Sequence, residues 1–272
     1  MLIITISTLF ERLAKIQINQ FPKHENIKYV ISCQGEKKYN DGYYLTQIKD
    51  IFGEDVICGW ELKPGLSNNR NNAIKLACEY YKDTGSYIYI CDDDVTPNID
   101  GLLTSAHMMM NKKINCITGI ITTDYGYFKN YPNASYEITK FSAARVSSVE
   151  IMIDLDFLCK HEVFFDSDFG LGSKYPSGEE YIFITDILKK KGIAYYHPIE
   201  FCSHPPVSSG SDFYTSNIKI MSKGAMLKRI FKFPISHILM LVFSLKKYNK
   251  YKHHISFLNF VNIILKGAKG YK

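Results

Sequence analysis

Three adjacent carboxylates, Asp92-Asp93-Asp94, follow directly on the uncharged, β-prone run Tyr87–Cys91. Like charges this close raise one another's pKa, so the triplet calls for a compensating positive charge. A hard divalent cation, Mg²⁺ or Mn²⁺, is the usual one; it takes oxygen ligands and is held by one or two carboxylates together with substrate phosphates. A solvated acidic turn is the plainer alternative, and Pro97 suits such a turn. Arg70 and Asn71 fall near the start of an expected helix, where a guanidinium and a helix N-terminus both favour phosphate oxygens. Glu179-Glu180 opens another helix after a glycine-rich stretch. There a carboxylate can either accept a proton from a hydroxyl or simply favour the positive end of the helix. His204 sits in a proline-rich segment and is a candidate metal ligand.

These residues need a scaffold, and the hydrophobic pattern supplies one. Strands are expected over Ile3–Ser7, Lys28–Ser32, Asp55–Trp60, Tyr87–Cys91, Asn115–Thr122, Val149–Ile153 and Ile193–Tyr196. Helices are expected over Phe10–Ile18, Tyr43–Ile51, Gly101–Asn111 and Glu179–Lys190, with another running from an N-cap at Ser67 to about Lys82. The segments from Tyr125 to Ser142, Phe164 to Ser177 and His197 to Gly210 read as loops. Alternating strands and helices point to an α/β fold with a mostly parallel sheet flanked by helices. In such sheets ligands bind beyond the carboxyl ends of the strands, which is where the aspartates lie.

The stretch from Tyr87 to Asn98 resembles the aspartate motif of the GT-A glycosyltransferases, especially the bacterial family 2 type. Three further pieces resemble that family in the same order. They are Gly65-Leu66-Ser67-Asn68-Asn69-Arg70-Asn71; Phe169-Gly170-Leu171-Gly172 followed by Gly178-Glu179-Glu180; and His204-Pro205-Pro206-Val207-Ser208-Ser209-Gly210. The resemblance covers roughly residues 1–212 and implies a GT-A fold, a nucleotide-diphosphate sugar donor (most often a UDP-sugar) and a divalent metal. It implies that Asp94 binds the metal, that Asp92 contacts the ribose or the metal through water, and that Asp93 supports both. Arg70 and Asn71 are implied donor contacts, and Thr8 and Gln34 stand where the family holds the base and ribose. His204 becomes a third metal ligand or a pyrophosphate contact. In inverting members the last acid of the acidic pair is the base, here Glu180. The family's usual Asp is replaced by Glu, one methylene longer, so Glu179 competes for the role.

With 46% hydrophobic and 22% charged residues the chain can form a packed core. Its net charge of +6 conceals a division. The segment 213–272 holds 12 of the 33 Lys/Arg and none of the 27 Asp/Glu, leaving 21 basic against 27 acidic residues before it. A basic, helical, membrane-proximal extension is therefore expected, meeting an anionic surface rather than nucleic acid; the plainer alternative is a C-terminal helical pair packed on the domain with a solvated basic face. This fits a saccharide acceptor that is lipid-linked and a location on the cytoplasmic face of the cell membrane. The N-terminal apolar run lacks a positive flank and reads as a strand, not a signal peptide. The seven scattered cysteines, with no C-x-x-C pair, argue against a zinc site or a disulfide framework and for a reducing compartment. Two other function classes compete: a non-catalytic nucleotide- or sugar-binding protein, and a nucleotidyltransferase. The second usually carries a glycine-rich phosphate loop after its first strand, and Ser7–Arg12 has no glycine.

Overall fold

The computed structural model describes residues 1–205 and 213–271. The strands are β1 (Leu2–Leu9), β2 (Ile27–Gln34), β3 (Ile57–Glu61), β4 (Tyr87–Asp92), β5 (Thr96–Pro97), β6 (Cys116–Thr123), β7 (Gly126–Tyr127), β8 (Tyr136–Glu137), β9 (Ile151–Asp154) and β10 (Ala194–Ser203). The helices are α1 (Asp41–Phe52), α2 (Leu66–Tyr81), α3 (Ile99–Lys112), α4 (Leu155–His161), α5 (Glu179–Lys189), α6 (Asn217–Ile230), α7 (Ile235–Tyr251) and α8 (Phe257–Gly270). One sheet runs in the order β3-β2-β1-β4-β9-β6-β10-β5. Strands β1 to β4 are mutually parallel, and β9 runs antiparallel between β4 and β6. Because β10 is parallel to β6, the carboxyl ends of β1, β2, β4, β6 and β10 all meet one edge.

The apolar N-terminal run is a central strand covered on both faces. Ile3 faces a core shared with α2, α4 and α5, whereas Leu2, Ile4 and Ile6 face one shared with α1 and α3. The period-2 alternation of a strand divides these side chains between the two layers.

Several expectations are corrected. No α-helix forms over Phe10–Ile18; two short 3₁₀ turns, Leu13–Lys15 and Ile18–Gln20, take its place. The Gln20 amide donates to the backbone oxygens of Asp93 and Val95, both at 2.9 Å, which straps this segment to the aspartates. Ser67 is not the cap of α2; Gly65 holds that position. Ser67 lies inside the helix, and its hydroxyl donates to the Phe169 carbonyl at 2.6 Å. The last strand does not stop at Tyr196. It passes an irregular stretch around Glu200 and continues to Ser203. His197 and Pro198 therefore mark a distortion within a strand, not its end.

The cysteine expectation also fails in part. Cys78 and Cys159 form a disulfide, with their Cα atoms 6.0 Å apart and a sequence separation of 81. Packing of α2 against α4 brings them together, which sequence spacing does not reveal. The scattered cysteines therefore lose their force as a sign of a reducing compartment.

The basic C-terminal segment is a trio of helices. Ile220, Ala225, Met226, Phe260 and Ile264 share a core with Ile3 and Val30 of the sheet. Arg229 of α6 is spent internally, pairing with Asp166 at 2.8 Å and Asp186 at 2.6 Å. Helices α6 and α8 meet backbone to backbone: a Cβ on Gly224 would lie 1.8 Å from the Ile264 carbonyl oxygen. Gly224→Ala should therefore force the helices apart and cost about 1–3 kcal/mol, the range for overpacking. Chemical denaturation checks this, and an unchanged midpoint would refute the close docking.

Candidate active site

The strands deliver most of the singled-out residues to one place. Thr8 is the penultimate residue of β1, Gln34 ends β2, Asp92 ends β4, and His204 follows β10. With Arg70 from the first turns of α2 and Glu179-Glu180 from the start of α5, they line one cavity of about 760 Å³. Asp93 and Asp94 also line it, and with Arg12 and His204 they border a second cavity of about 560 Å³. Residues 206–210 of the histidine segment lie outside the described residues.

The three aspartates have different partners. Asp92 receives both of its bonds from Arg70 Nη2, at 3.1 Å each. Asp93 is buried, accepts from the Thr8 hydroxyl at 2.5 Å, and pairs with Arg12 at 2.5 Å. Burial pushes the Asp93 carboxyl up to about 6, against the opposing pull of Thr8 and Arg12. Asp94 is the exposed member. One oxygen takes Arg12 at 3.1 Å and the other lies 3.8 Å from His204 Nε2. The counter-ion that the triplet requires is thus partly internal, and Arg12 is a functional candidate that sequence reading missed. Its position shortly after the first strand was the available signal.

Arg70 is the hub of the opposite wall. It is almost fully buried, and its Nη1 donates to Glu179 Oε1 at 3.3 Å. Burial works against its charge, but Asp92 and Glu179 outweigh that and hold its pKa above the ordinary value. Its Nε and the neighbouring Asn69 Oδ1 are buried without a hydrogen-bond partner among the described residues. Unpartnered buried polar atoms are costly and often mark a ligand site. Asn69 also donates to the Thr8 carbonyl at 2.9 Å. It is a second site residue that sequence reading missed.

Asn71 does not line either cavity. Its amide clasps the Phe165 backbone, donating and accepting at 2.8 Å. It anchors the start of the glycine-rich loop, whose far part closes on α2 where Leu66 N–H donates to the Leu171 carbonyl at 2.8 Å. Gly170 adopts φ +102°, and a Cβ there would lie 2.9 Å from Ser67 Oγ and 3.3 Å from Glu179 Cδ. The loop thereby fixes the buried Glu179 against Arg70. Gln34 turns its amide to the carbonyls of Lys63 and Gly65, the latter at 3.2 Å, so it braces the entry to α2 while lining the cavity. Burial and the Glu179 charge push the Glu180 carboxyl up to about 8.

Among the described residues no cluster of three or more His, Cys, Asp or Glu is placed to hold a metal ion. The Asp94–His204 pair nevertheless fits a cation that completes its shell on ligand phosphates, because Mg²⁺ and Mn²⁺ sites commonly need only one or two protein ligands.

No family model matches the chain. No curated protein matches it either. Solved structures do. The chain is similar to S. aureus TarS 1-349 in complex with UDP-GlcNAc, at TM-score 0.59 and 11% identity, covering 99% of this chain and 92% of that one. A second structure of S. aureus TarS 1-349 gives TM-score 0.56 and 14% identity, with 98% and 80% covered. GalNAc-T7, solved with UDP, GalNAc and Mn²⁺, gives TM-score 0.59 and 13% identity, with 99% and 57% covered. The mixed sheet, its flanking helices and this likeness together identify the architecture as the GT-A glycosyltransferase fold.

Proposed function

We propose that the protein is a metal-dependent glycosyltransferase that moves a sugar from a UDP-sugar to a saccharide hydroxyl with inversion. The observation that carries this reading is the convergence of Thr8, Gln34, Arg70, the three aspartates, Glu179, Glu180 and His204 on one cavity at the carboxyl edge of the sheet. The neighbours solved with UDP, UDP-GlcNAc and Mn²⁺ support the donor class and the cation. Acceptor, pathway and stereochemistry rest on the resemblance and on the site's own chemistry.

In this reading Thr8 and Gln34 border the nucleoside, and Asp92 is oriented for the ribose by Arg70. Asp94 and His204 would hold the divalent cation, which when bound supplies charge neutralisation on the departing diphosphate. Arg12 adds a second positive charge beside the same phosphates. Glu179 is a positioning residue locked by Arg70. Glu180 takes the acceptor hydroxyl's proton as that oxygen attacks the anomeric carbon from the face opposite the leaving nucleotide.

A non-catalytic nucleotide-binding role would not need a carboxyl held at Glu180 with a raised pKa. The deciding experiment is a panel of nucleotide-sugars with a mixed saccharide acceptor, with and without Mn²⁺, scored for nucleotide release and glycosylated product. Mn²⁺-dependent release of UDP from one donor is expected. Tight UDP binding with no turnover of any donor would favour the binding protein. Acceptor assignment to a lipid-linked saccharide, in bacterial surface polysaccharide synthesis on the cytoplasmic face, belongs to the same proposal.

A further inference from the structure

Helix α7 is amphipathic the wrong way round for a helix meeting water. It buries Ser236 and Ser244, at 1% and 0% exposure, along with Met240. Its outward side carries Ile238, Leu241, Val242 and Leu245, exposed at 57%, 47%, 50% and 59%. Their spacing of three, four and seven residues places them on one stripe, which Ile235 extends toward the N-terminus. The buried serine does not compete for water, since the Ser244 hydroxyl donates to the Met240 carbonyl at 2.8 Å. An apolar stripe of this continuity on a soluble surface is the mark of an interaction site.

The charge around the stripe narrows what covers it. Lys246, Lys250 and Lys252 are exposed around the C-terminal end of α7, and Lys232 just before its start. No Asp or Glu occurs anywhere from Phe213 onward. Two copies meeting through this face would set lysines against lysines with no acid of the segment to relieve them. An anionic lipid surface takes both parts: acyl chains receive the stripe, and headgroups receive the ammonium groups, which stay at the interface on their flexible stems.

We propose that α7 is a membrane-docking helix that lies in the plane of an anionic bilayer surface with Ile238, Leu241, Val242 and Leu245 immersed. Among the described residues no helix is long and apolar enough to cross a membrane, so this contact is interfacial. The docking helix is linked to the carboxylate pair through one side chain of α6. Lys223 of α6 lies over the Phe243 ring of α7 at 5.6 Å. Burial pushes that ammonium down to about 8, while Glu180 holds it up and Lys247 of α7 presses it further down. One side chain thus lies within electrostatic reach of both the site and the docking helix. Delivery of a lipid-linked acceptor toward Glu180 rests on the function proposed above, whereas the docking itself does not.

The test is flotation of the whole chain with vesicles of phosphatidylcholine mixed with phosphatidylglycerol, against phosphatidylcholine alone. The wild type should float with the anionic vesicles. The triple variant I238S/L241S/L245S should lose roughly tenfold or more in partitioning, with unchanged circular dichroism and melting, because all three side chains already face outward. Equal flotation of variant and wild type would overturn the proposal, as would a wild type that ignores anionic vesicles. A concentration-dependent dimer dispersed by the same substitutions, without any vesicle difference, would assign the stripe to a second copy instead. UDP binding, measured separately on the same proteins, tests the proposed function and leaves the docking result independent of it.

Discussion

Glu180→Gln should bind the nucleotide-sugar donor with near-normal affinity and lose about 10²- to 10⁴-fold in turnover, the usual contribution of a positioned general base. Glutamine keeps the shape of the side chain and cannot accept the proton, so the loss should fall on kcat and not on KM. The carboxyl is held up at about 8 by burial first and then by the neighbouring Glu179 charge, with Arg70 pulling the other way. A base must be unprotonated to act, so kcat/KM of the wild type should climb with pH and level off above about 8. The residual activity of the variant should lack that limb. The same shift has a stability consequence with a definite sign. A carboxyl whose folded pKa lies above its unfolded value, about 4.3, keeps a proton that the unfolded chain releases. The contribution of this carboxyl to stability therefore falls as pH rises from about 4.3 to 8, and Glu180→Gln should melt higher than wild type at pH 8.

Glu179→Gln makes the contrast. Glu179 is buried and accepts from Arg70, which also holds Asp92. Weakening that ion pair should lower stability and loosen the donor wall, with a milder effect on turnover and the pH limb intact. A dead Glu179→Gln enzyme beside a fully active Glu180→Gln enzyme would move the base by one residue. Retention of the anomeric configuration in the product would reject the single displacement.

How much of this could be read beforehand follows from the range of the forces involved. Strands β1, β2 and β4 are mostly apolar runs with polar residues at or next to their carboxyl ends, so local pattern alone placed Thr8 and the aspartates close to strand ends. Helices α1, α3 and α5 declare themselves through periodicity, and α1 and α3 also through Asn40 and Asn98, whose side chains cap them. What escaped depends on closure in three dimensions. Arg12 matters because Gln20 folds the segment after β1 back onto Asp93, a contact across 73 residues. Asn71 looked like a donor contact beside Arg70, yet one helical step of about 100° turns it away from the cavity toward Phe165. The short helix α4 ends with Glu162 at φ +51°, a stop that residue type does not announce. The sequence of α7 is mostly apolar from Ile235 to Leu245, but nothing in it says that the serines face the core and Leu241 and Leu245 the outside. Hydropathy measures how apolar a segment is, and neighbouring helices decide which side of it is covered.

Asp94→Ala should lower nucleotide affinity in the presence of Mn²⁺ by about 10²-fold or more, since a cation held by Asp94 would neutralise charge on the donor phosphates, an effect of several kcal/mol. It should leave the fold intact. Asp94 is the exposed member of the triplet, and its contacts are an arginine that keeps Asp93 and a histidine at 3.8 Å. Asp93→Ala should behave in the opposite way. Asp93 is buried under the Thr8 hydroxyl and the Arg12 guanidinium, so its removal takes the Thr8 hydroxyl's carboxylate acceptor, leaves Arg12 with Asp94 alone, and should cost stability before it costs metal. Calorimetric titration of UDP with Mn²⁺ and with excess chelator, paired with thermal melts of each variant, separates the two effects. The Arg12 guanidinium supplies the sharper discrimination, because it already lies against Asp93 and Asp94. If UDP binding to the wild type were indifferent to chelator, and Arg12→Ala abolished it while Asp94→Ala did not, the positive charge under the phosphates would be the arginine's alone. The metal would then leave the mechanism, with Glu180 and the inverting displacement untouched. If instead binding requires Mn²⁺ and fails in Asp94→Ala, Arg12 must yield its hold on Asp94 as the cation and donor enter. In that case Arg12→Ala should tighten Mn²⁺ binding in the absence of nucleotide while slowing departure of the diphosphate in its presence.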